Sequence, residues 1–387
     1  MPILFLIVLI DLIGFGIIIP LLPFFAEVHG AEPDTVGLLM ASYSLFQLLA
    51  APLWGRLSDR IGRRPVLILG MAGAAASYAL LAAADSLWML FAARALGGAM
   101  AGNISAAFAY AADITTPENR AKGMGVVGAA FGLGFVVGPA MGGLLAGPDA
   151  ATANYAAPAL AAAALSVIAM VLTAWRLPES LPPEKRGKLR ASTLASALSL
   201  MARQPALLLL FVISFLTTFV FAGMEATFAL WSERSFGWGP AQNGFAFAYL
   251  GVLVALVQGG ATGMLVARFG EARLMIAGIL LLAIGICGIP FAPGIVGLIG
   301  MLAVVAAGFS IANPALNAMI SRQAGESEQG TVMGLARSAT ILARVAGPAW
   351  AGMLFAVMGK DWPFIAGAAA MLLTVPLGYV AARRAAG

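Results

Sequence analysis

Four ionisable side chains lie inside long apolar stretches of the sequence: Asp11, Arg94, Glu225 and Arg344. An ionisable group in such surroundings is costly and normally faces a partner or a water-filled cavity. A carboxylate in partly dry surroundings favours its protonated form, so its charge can respond to the side from which water reaches it. Proton coupling requires this behaviour, and we assign it to Asp11 first and to Glu225 second. The alternative for Asp11 is a pair with Arg94 or with the backbone that only fixes packing.

Arg344 lies too deep in its apolar stretch to reach water at either end, so it needs a partner. We expect that partner to be Glu225 or an anionic group of a substrate; the alternative is an interhelical pair with a purely structural role. Arg337 lies seven residues earlier, on the same helical face. It is shallow enough to extend to the membrane surface.

The elements that must position these groups are membrane-spanning helices. Of the 387 residues, 61% are apolar and 10% are charged, whereas a soluble domain carries about 25% charged residues. A spanning helix needs roughly 20 mostly apolar residues. Twelve segments meet this requirement, at approximately 2–26, 35–55, 66–84, 86–112, 123–147, 157–175, 205–231, 241–266, 274–291, 295–320, 331–358 and 363–382. The sequence therefore predicts an all-α, multi-pass membrane protein.

Several functional classes are excluded by composition. The single Cys287 and the single His29 provide no disulfide framework or metal cluster and little for nucleophilic catalysis. The formal charge of +5 does not indicate a nucleic-acid partner, because most Lys and Arg residues fall in loops on one side of the predicted membrane. Such loops are cytoplasmic, which predicts a bacterial inner-membrane protein with both termini inside. We expect no enzyme activity, no metal and no cofactor.

The chain is predicted to be duplicated. The run Gly55–Gly62 has a counterpart in Gly263–Gly270, and Gly138–Pro139 has one in Gly347–Pro348, at nearly the same offset along the chain. Proline-rich, mixed-charge sequence separates the halves and is typical of a flexible linker. We predict a six-helix bundle over 1–175, a cytoplasmic linker over 176–204 and a second six-helix bundle over 205–387. Repeat-built transporters bind substrate near the midplane, where the repeats meet.

The loop after the second segment combines glycines with closely spaced charges. Glycines permit a tight turn at a helix end, and a carboxylate there can pair with an arginine or cap a neighbouring helix. Such a contact must break when the two halves of the chain move apart, so we regard this loop as a gate. Its candidate gating residues are Gly55, Asp59, Arg60, Gly62, Arg63 and Arg64. They match the signature loop of the major facilitator superfamily, which this sequence resembles. Asp113 and Arg120 form a second acid–base cluster beside this loop, unless they only cap helices.

The fifth segment carries a glycine pattern around one proline. Its residues are Gly134, Gly138, Pro139, Gly142 and Gly143. A spacing of four places Gly134, Gly138 and Gly142 on one face, where two backbones can approach closely, and the proline permits a kink. Small-residue packing alone explains much of this pattern. The run also resembles the motif that marks the proton-driven exporters of the superfamily.

The resemblance extends to the twelve-helix drug–proton antiporters, and within them to tetracycline exporters. Asp11 and Arg94 stand at positions that match the first and fourth helices of those antiporters. Two departures disfavour tetracycline itself as the substrate. Ser77 replaces an aspartate of the exporters, and residues 274–290 contain no acid.

The resemblance implies a major facilitator fold of two pseudo-symmetric six-helix bundles, in which helices 1, 4, 7 and 10 line a central cavity. Candidate cavity residues are Phe15, Tyr43, Gln47, Asn103, Phe221, Asn313, Asn317 and Arg344. We expect a monomeric antiporter that exports small, largely apolar, drug-like compounds against protons by alternating access, and that contributes to antibiotic resistance. Two alternatives stay open: an exporter of a physiological metabolite such as a sugar, and a facilitative uptake carrier without proton coupling.

Overall fold

The computed structural model describes residues 1–116, 119–187, 204–324 and 329–386. Within these ranges the apolar segments form helices joined by short turns. The helices up to residue 176 are α1 (Pro2–Ile18), α2 (Leu22–Val28), α3 (Pro33–Ile61), α4 (Arg63–Ala82), α5 (Leu87–Ala99), α6 (Asn103–Asp113), α7 (Arg120–Ala146) and α8 (Ala156–Arg176). The later helices are α9 (Pro205–Phe236), α10 (Pro240–Leu256), α11 (Thr262–Phe269), α12 (Glu271–Gly288), α13 (Gly294–Arg322), α14 (Gln329–Met358) and α15 (Trp362–Ala386). A short 3₁₀ helix spans Pro183–Lys185, and a π-helical turn, Val257–Ala261, joins α10 to α11.

Eleven stretches of the described residues are long and apolar enough to cross a membrane. They correspond to eleven of the twelve predicted segments, with α1 and α2 forming one stretch. The remaining segment, predicted as one helix over 86–112, is instead divided into α5 and α6, with 13 and 11 residues. At about 1.5 Å per residue, neither piece alone spans the roughly 30 Å of a bilayer core.

The interruption between α5 and α6 has an identifiable partner in α3. Met100 to Gly102 form a turn, so the carbonyl of Ala99 is not in a continuous helix. The indole Nε1–H of Trp54 donates a hydrogen bond to that carbonyl at 2.6 Å. Backbone groups released inside a membrane must be satisfied by other groups, and Trp54 does so here. The break therefore depends on a side chain from another helix.

The chain divides into two compact units, and the boundary crosses α9 and α10. One unit holds Met1–Ala191 with Ala229–Val252; the other holds the described residues up to Phe228 in α9 and those from Leu253 onward. The predicted domains 1–175 and 205–387 stay a prediction, as does the linker over 176–204, of which residues 188–203 lie outside the described ranges.

The core of the first unit is organised around α1. This helix packs on α7 and on α8, and α4 packs on α8 as well. Ile7 and Leu12 of α1 are fully buried with Leu67, Tyr110 and Val127 from α4, α6 and α7. Asp11 is thus carried by a helix whose position is fixed on several sides.

The second unit packs α12 against α13 and α15. The backbones of α12 and α13 are in contact at Gly278 and Gly308. A Cβ atom on either glycine would lie 2.8 Å from the carbonyl oxygen of the other. Small residues at helix crossings allow such approaches in membrane proteins.

Candidate functional site

Asp11 of α1 is bound by Asn103, the first residue of α6. The side-chain Nδ2 of Asn103 donates to Oδ2 of Asp11 at 2.5 Å. The Oδ1 of the same amide accepts the backbone N–H of Ile104 at 2.9 Å. A flipped amide would lose the hydrogen bond from Ile104, so the orientation with the donor group directed to the carboxylate is favoured. The break after Ala99 makes this possible, since it places Asn103 at a helix start.

Arg94 of α5 is buried, with 6% of its surface exposed. Its guanidinium carbon lies 4.3 Å from the centre of the Tyr43 ring, which is a cation–π contact. No carboxylate lies within 4.0 Å of Arg94 among the described residues, so the alternative pair with Asp11 does not form. The Nε of Arg94 is buried without a hydrogen-bond partner in the described part of the chain. A buried cation without a carboxylate partner is unusual, which makes Arg94 a candidate for a functional role.

Aromatic side chains pack around Tyr43, which covers Arg94. The Phe15 ring lies 5.3 Å from Tyr43 and 6.0 Å from Phe135 of α7. Gln47 is half-buried one turn beyond Tyr43 on α3, which places both on one helical face. The first unit therefore brings together the candidate residues Asp11, Asn103, Arg94, Tyr43 and Phe15 from α1, α3, α5 and α6, with Gln47 one turn further along α3.

Two neighbours were not assigned a role from the sequence. Tyr78 of α4 is buried within electrostatic range of Tyr43, Asp11 and Arg94. Ser77 donates to the carbonyl of Ala93 at 2.8 Å, so the residue that replaces the exporters' aspartate fixes α4 to α5.

In the second unit, Arg344 of α14 pairs with Glu225 of α9. Nη1 of Arg344 lies 3.3 Å from Oε2 of Glu225, with side-chain exposures of 36% and 8%. Glycines close to both residues bring the two helices together. A Cβ on Gly223 would lie 3.2 Å from the carbonyl oxygen of Gly347. This close approach allows the arginine to reach the carboxylate.

The remaining candidates of the second unit lie on α9 and α13. The Phe221 ring stacks on Phe309 with centres 4.0 Å apart. The side chain of Asn317 donates to Asn313 Oδ1 at 2.8 Å, and Asn317 is exposed. Phe221 lies one turn before Glu225, so an aromatic pair and an ion pair share one face of α9.

Arg63 is the centre of the gating loop. Its Nη1 donates to Asp59 at 2.7 Å and to Ser58 at 2.9 Å, and its Nε donates to Asp113 at 3.1 Å. The guanidinium thus joins the end of α3 to the end of α6. Gly62, with φ of 108°, makes the turn between α3 and α4.

The other gating candidates lie apart from this centre. Arg60 and Gly55 are exposed, and a Cβ on Gly55 would meet nothing within 4 Å. The guanidinium of Arg64 donates to the carbonyl of Ala174. The side chain of Arg120 lies outside the described residues, although its backbone begins α7.

Glu179 belongs to the same cluster and was missed. Its carboxylate accepts the backbone N–H groups of Arg63 at 2.8 Å and Arg64 at 3.1 Å, which caps the N-terminus of α4. Ser180 beside it donates to Asp113 at 3.1 Å. Acids stabilise helix N-termini, but Glu179 lies in sequence that indicates a flexible linker. Glu179 lies far from α4 along the chain, so no local sequence pattern predicts this contact.

The glycines of α7 lie against two different helices. A Cβ on Gly138 would lie 2.7 Å from Cα of Gly16 in α1, and one on Gly134 would lie 2.7 Å from Leu12 Cβ. Gly142 likewise faces the backbone of α1. Gly143 faces α10, where its Cβ would lie 2.7 Å from the Pro240 carbonyl oxygen. The helix of Asp11 is thus held by backbone contact along α7.

A charged cluster lies at the opposite end of α3 from Arg63. Arg234 Nη2 lies 3.2 Å from Oε1 of Glu27, at the end of α2. Glu233 is close enough to Glu27 for their carboxyl groups to interact. The Tyr155 ring stacks on Phe25 with centres 4.8 Å apart. Burial raises the pKa of the Tyr155 phenol, and the charges of Glu233, Glu27 and Asp149 raise it further.

Comparison with known proteins places this arrangement in a family. The model described as Major Facilitator Superfamily matches residues 4–263 and 233–386. A tetracycline resistance protein, class C, from Escherichia coli is 35% identical over 376 residues, covering 95% of this chain and 93% of the relative. Multidrug resistance protein 2 from Bacillus subtilis is 31% identical and covers 96% and 92%.

Solved structures agree in fold. The human organic anion transporter MFSD10 (TETRAN) aligns with a TM-score of 0.74 at 30% identity, covering 97% of this chain and 98% of that one. A nucleoside transporter aligns with a TM-score of 0.81 at 13% identity, covering 99% and 98%, which is a likeness of fold alone. These matches confirm the predicted fold class and the predicted resemblance to tetracycline exporters.

Proposed function

Because the chain belongs to the Major Facilitator Superfamily, we propose that it is a proton-coupled antiporter that exports small, largely apolar, drug-like compounds. It is a multi-pass membrane transporter and not an enzyme. The observation that carries the proposal is the hydrogen bond from Asn103 to Asp11, a carboxylate inside a membrane helix. The relatives named for tetracycline and multidrug resistance favour export of drug-like compounds.

The hydrogen bond between Asn103 and Asp11 depends on the charge of Asp11. An ionised carboxylate can only accept hydrogen bonds, and one oxygen of Asp11 accepts from the Asn103 amide. A protonated carboxyl group is itself a donor, and a proton on Oδ2 competes with the amide for the same oxygen. The amide oxygen is directed to the Ile104 N–H, so the amide presents its N–H group rather than its oxygen to Asp11. Proton uptake at Asp11 replaces a charge-assisted hydrogen bond by a weaker neutral one and so weakens the link between α1 and α6, which is a step that coupling requires.

The surroundings of Asp11 suit a flat apolar compound. Phe15 and Tyr43 present aromatic faces, and Gln47 offers an amide one turn away. Tetracycline itself is disfavoured, since Ser77 is engaged in a helix contact and residues 274–288 of α12 contain no acid. We therefore define the substrates by their chemistry, as compact compounds with an uncharged aromatic ring system.

The gating cluster supplies a contact that can break during transport. Arg63 holds two acids from α3 and α6, and alternating access requires contacts that exist in one state only. We place this cluster at the cytoplasmic side of a bacterial inner membrane, with both termini inside, because basic residues concentrate in the loops of that side. We further propose that one chain is the functional unit.

The test is transport into inverted membrane vesicles that contain the full chain or Asp11→Asn. The substrates are a set of aromatic drugs and dyes. We expect Asp11→Asn to lose accumulation driven by a proton gradient and to keep exchange of labelled for unlabelled substrate, which needs no proton. The control, Asp85→Asn, removes an exposed loop carboxylate and should retain both activities. Accumulation by Asp11→Asn that a protonophore abolishes would refute the coupling role.

The same vesicles address the two alternatives. Transport of sugars with no transport of dyes would identify a metabolite exporter. Dye movement without any pH change on substrate addition would identify a facilitative carrier.

A further inference from the structure

The described spanning helices contain a guanidinium that is both deep and reachable. Arg344 lies near the middle of the 30-residue helix α14 and keeps 36% of its side chain exposed. Arg94 differs, since it is 6% exposed and covered by Tyr43. A charged side chain at this depth is costly against lipid and almost always faces a bundle interior or a water-filled cavity. We therefore expect water, rather than lipid, to reach the exposed part of Arg344.

The pair between Arg344 and Glu225 leaves much of the arginine unused. It consists of one contact, Nη1 to Oε2, at 3.3 Å. In the described part of the chain, the Nε and Nη2 of Arg344 have no hydrogen-bond acceptor. Arginine binds carboxylates most strongly when two parallel N–H groups are engaged. A second oxyanion can therefore be bound better than Glu225 is.

The neighbouring side chains suit an anion attached to an aromatic body. Phe221 lies one turn from Glu225 and stacks on Phe309 at 4.0 Å. Arg337 shares the face of Arg344 on α14 and is exposed, and it adds positive potential to that face. Phe221 is buried and Phe309 is half-buried, so a compound whose acidic group binds Arg344 can pack an apolar ring system against Phe309.

We propose that the exported compounds carry a carboxylate or sulfonate group, which binds Arg344 in place of Glu225. This inference deepens the proposed function and rests on it, because it names the substrate class of that transporter. Glu225 competes with the substrate for one arginine, so a bound substrate leaves Glu225 without its counter-charge at 8% exposure.

The test compares two probes with the same ring system. Anilinonaphthalene sulfonate carries the anion, and N-phenylnaphthylamine lacks it. Binding to the purified full chain in detergent is measured by equilibrium dialysis against micelles alone, without any gradient. The variants are Arg344→Gln, Glu225→Gln and the control Arg273→Gln, which removes an exposed arginine at the start of α12.

We expect Arg344→Gln to weaken sulfonate binding about tenfold or more, because it removes a charge-assisted hydrogen bond. Glu225→Gln should strengthen sulfonate binding, since it removes the competitor and keeps the cation. Neither substitution should alter binding of the neutral probe. Arg273→Gln should not alter binding of either probe. A misfolded variant cannot produce the gain expected of Glu225→Gln.

Equal loss of both probes in Arg344→Gln, no loss of either, or weaker sulfonate binding in Glu225→Gln would overturn the inference. Its failure is distinguishable from failure of the proposed function. If neutral dyes are exported against protons and Arg344→Gln does not change sulfonate binding, only the inference is refuted. Sulfonate binding that follows these expectations without proton-driven export would refute only the coupling.

Discussion

Asn103 holds the carboxylate of Asp11 with an amide whose oxygen is fixed by the backbone N–H of Ile104. We predict that Asn103→Leu lowers the initial rate of proton-driven transport about tenfold or more, since a hydrogen bond to a charged group contributes about 1.5–3 kcal/mol. Asn103→Ser keeps a donor and should recover part of the rate. Asn119→Leu, at an exposed position, is the control. An undiminished rate in Asn103→Leu would show that Asp11 works without this partner.

Gly138 and Gly16 place the backbones of α7 and α1 in contact. Gly138→Ala adds a Cβ that would lie 2.7 Å from Cα of Gly16, so the helices must separate at a cost of about 1–3 kcal/mol. The midpoint of thermal inactivation in detergent should fall. Gly128→Ala on the same helix meets nothing within 4 Å and should be neutral or stabilising by up to about 1 kcal/mol. Equal behaviour of the two variants would contradict the predicted packing.

Arg63 binds Asp59 and Asp113 through different nitrogen atoms of one guanidinium. A lysine has a single nitrogen and cannot reproduce both contacts. We predict that Arg63→Lys reduces transport and lowers stability by about 1–3 kcal/mol. The conservative change Arg56→Lys, at an exposed arginine near the end of α3, should have no effect. Initial rates and thermal inactivation of both variants provide the measurement.

Glu179 caps α4 through two backbone N–H groups. Glu179→Gln replaces a carboxylate by a neutral acceptor and should destabilise the protein by about 1 kcal/mol. Glu184→Gln, at an exposed acid in the nearby 3₁₀ helix, is the matched control. If both variants inactivate at the temperature of the wild type, the cap has no energetic role.

Glu27 has both a cation and a second acid beside it. Removing Arg234 leaves Glu27 facing Glu233, whereas removing the charge of Glu27 relieves that repulsion while losing the ion pair. We therefore predict that Arg234→Gln destabilises the protein more than Glu27→Gln does, and more strongly at alkaline than at acidic pH. Thermal inactivation of both variants across pH tests the order. The reverse order would show that the two acids do not repel each other.

The helices could be predicted from the sequence because hydrophobic length is a local property. The break between α5 and α6 could not, since it depends on Trp54 of a different helix. Opposite charge suggested Arg94 as the partner of Asp11, but Tyr43 covers that arginine and an uncharged Asn103 binds the acid. Residue type identified the groups that needed partners. Only the packing of α1, α3, α5 and α6 determines which partner each one has.

The pair of Glu225 and Arg344 was anticipated among alternatives, since two deep opposite charges on the predicted seventh and eleventh helices need each other. Its partial exposure was not, because the exposed fraction depends on how closely Gly223 and Gly347 bring α9 and α14 together. Glu179 was missed for a similar reason. Glu179 caps α4 only because the chain after α8 folds back to the start of that helix.

The short helix α6 has Asn103 at one end and Asp113 at the other. A helix of this length is a stiff rod, with its ends about 15 Å apart at 1.5 Å per residue. A movement of Asn103 along the axis of α6 would therefore move Asp113 by the same distance. Asp113 is in turn paired with Arg63. The turn at Met100 to Gly102 separates α6 from α5, so α6 is not a continuation of the α5 helix. A single broken helix thus makes the membrane-buried acid and the loop arginine parts of one mechanical linkage.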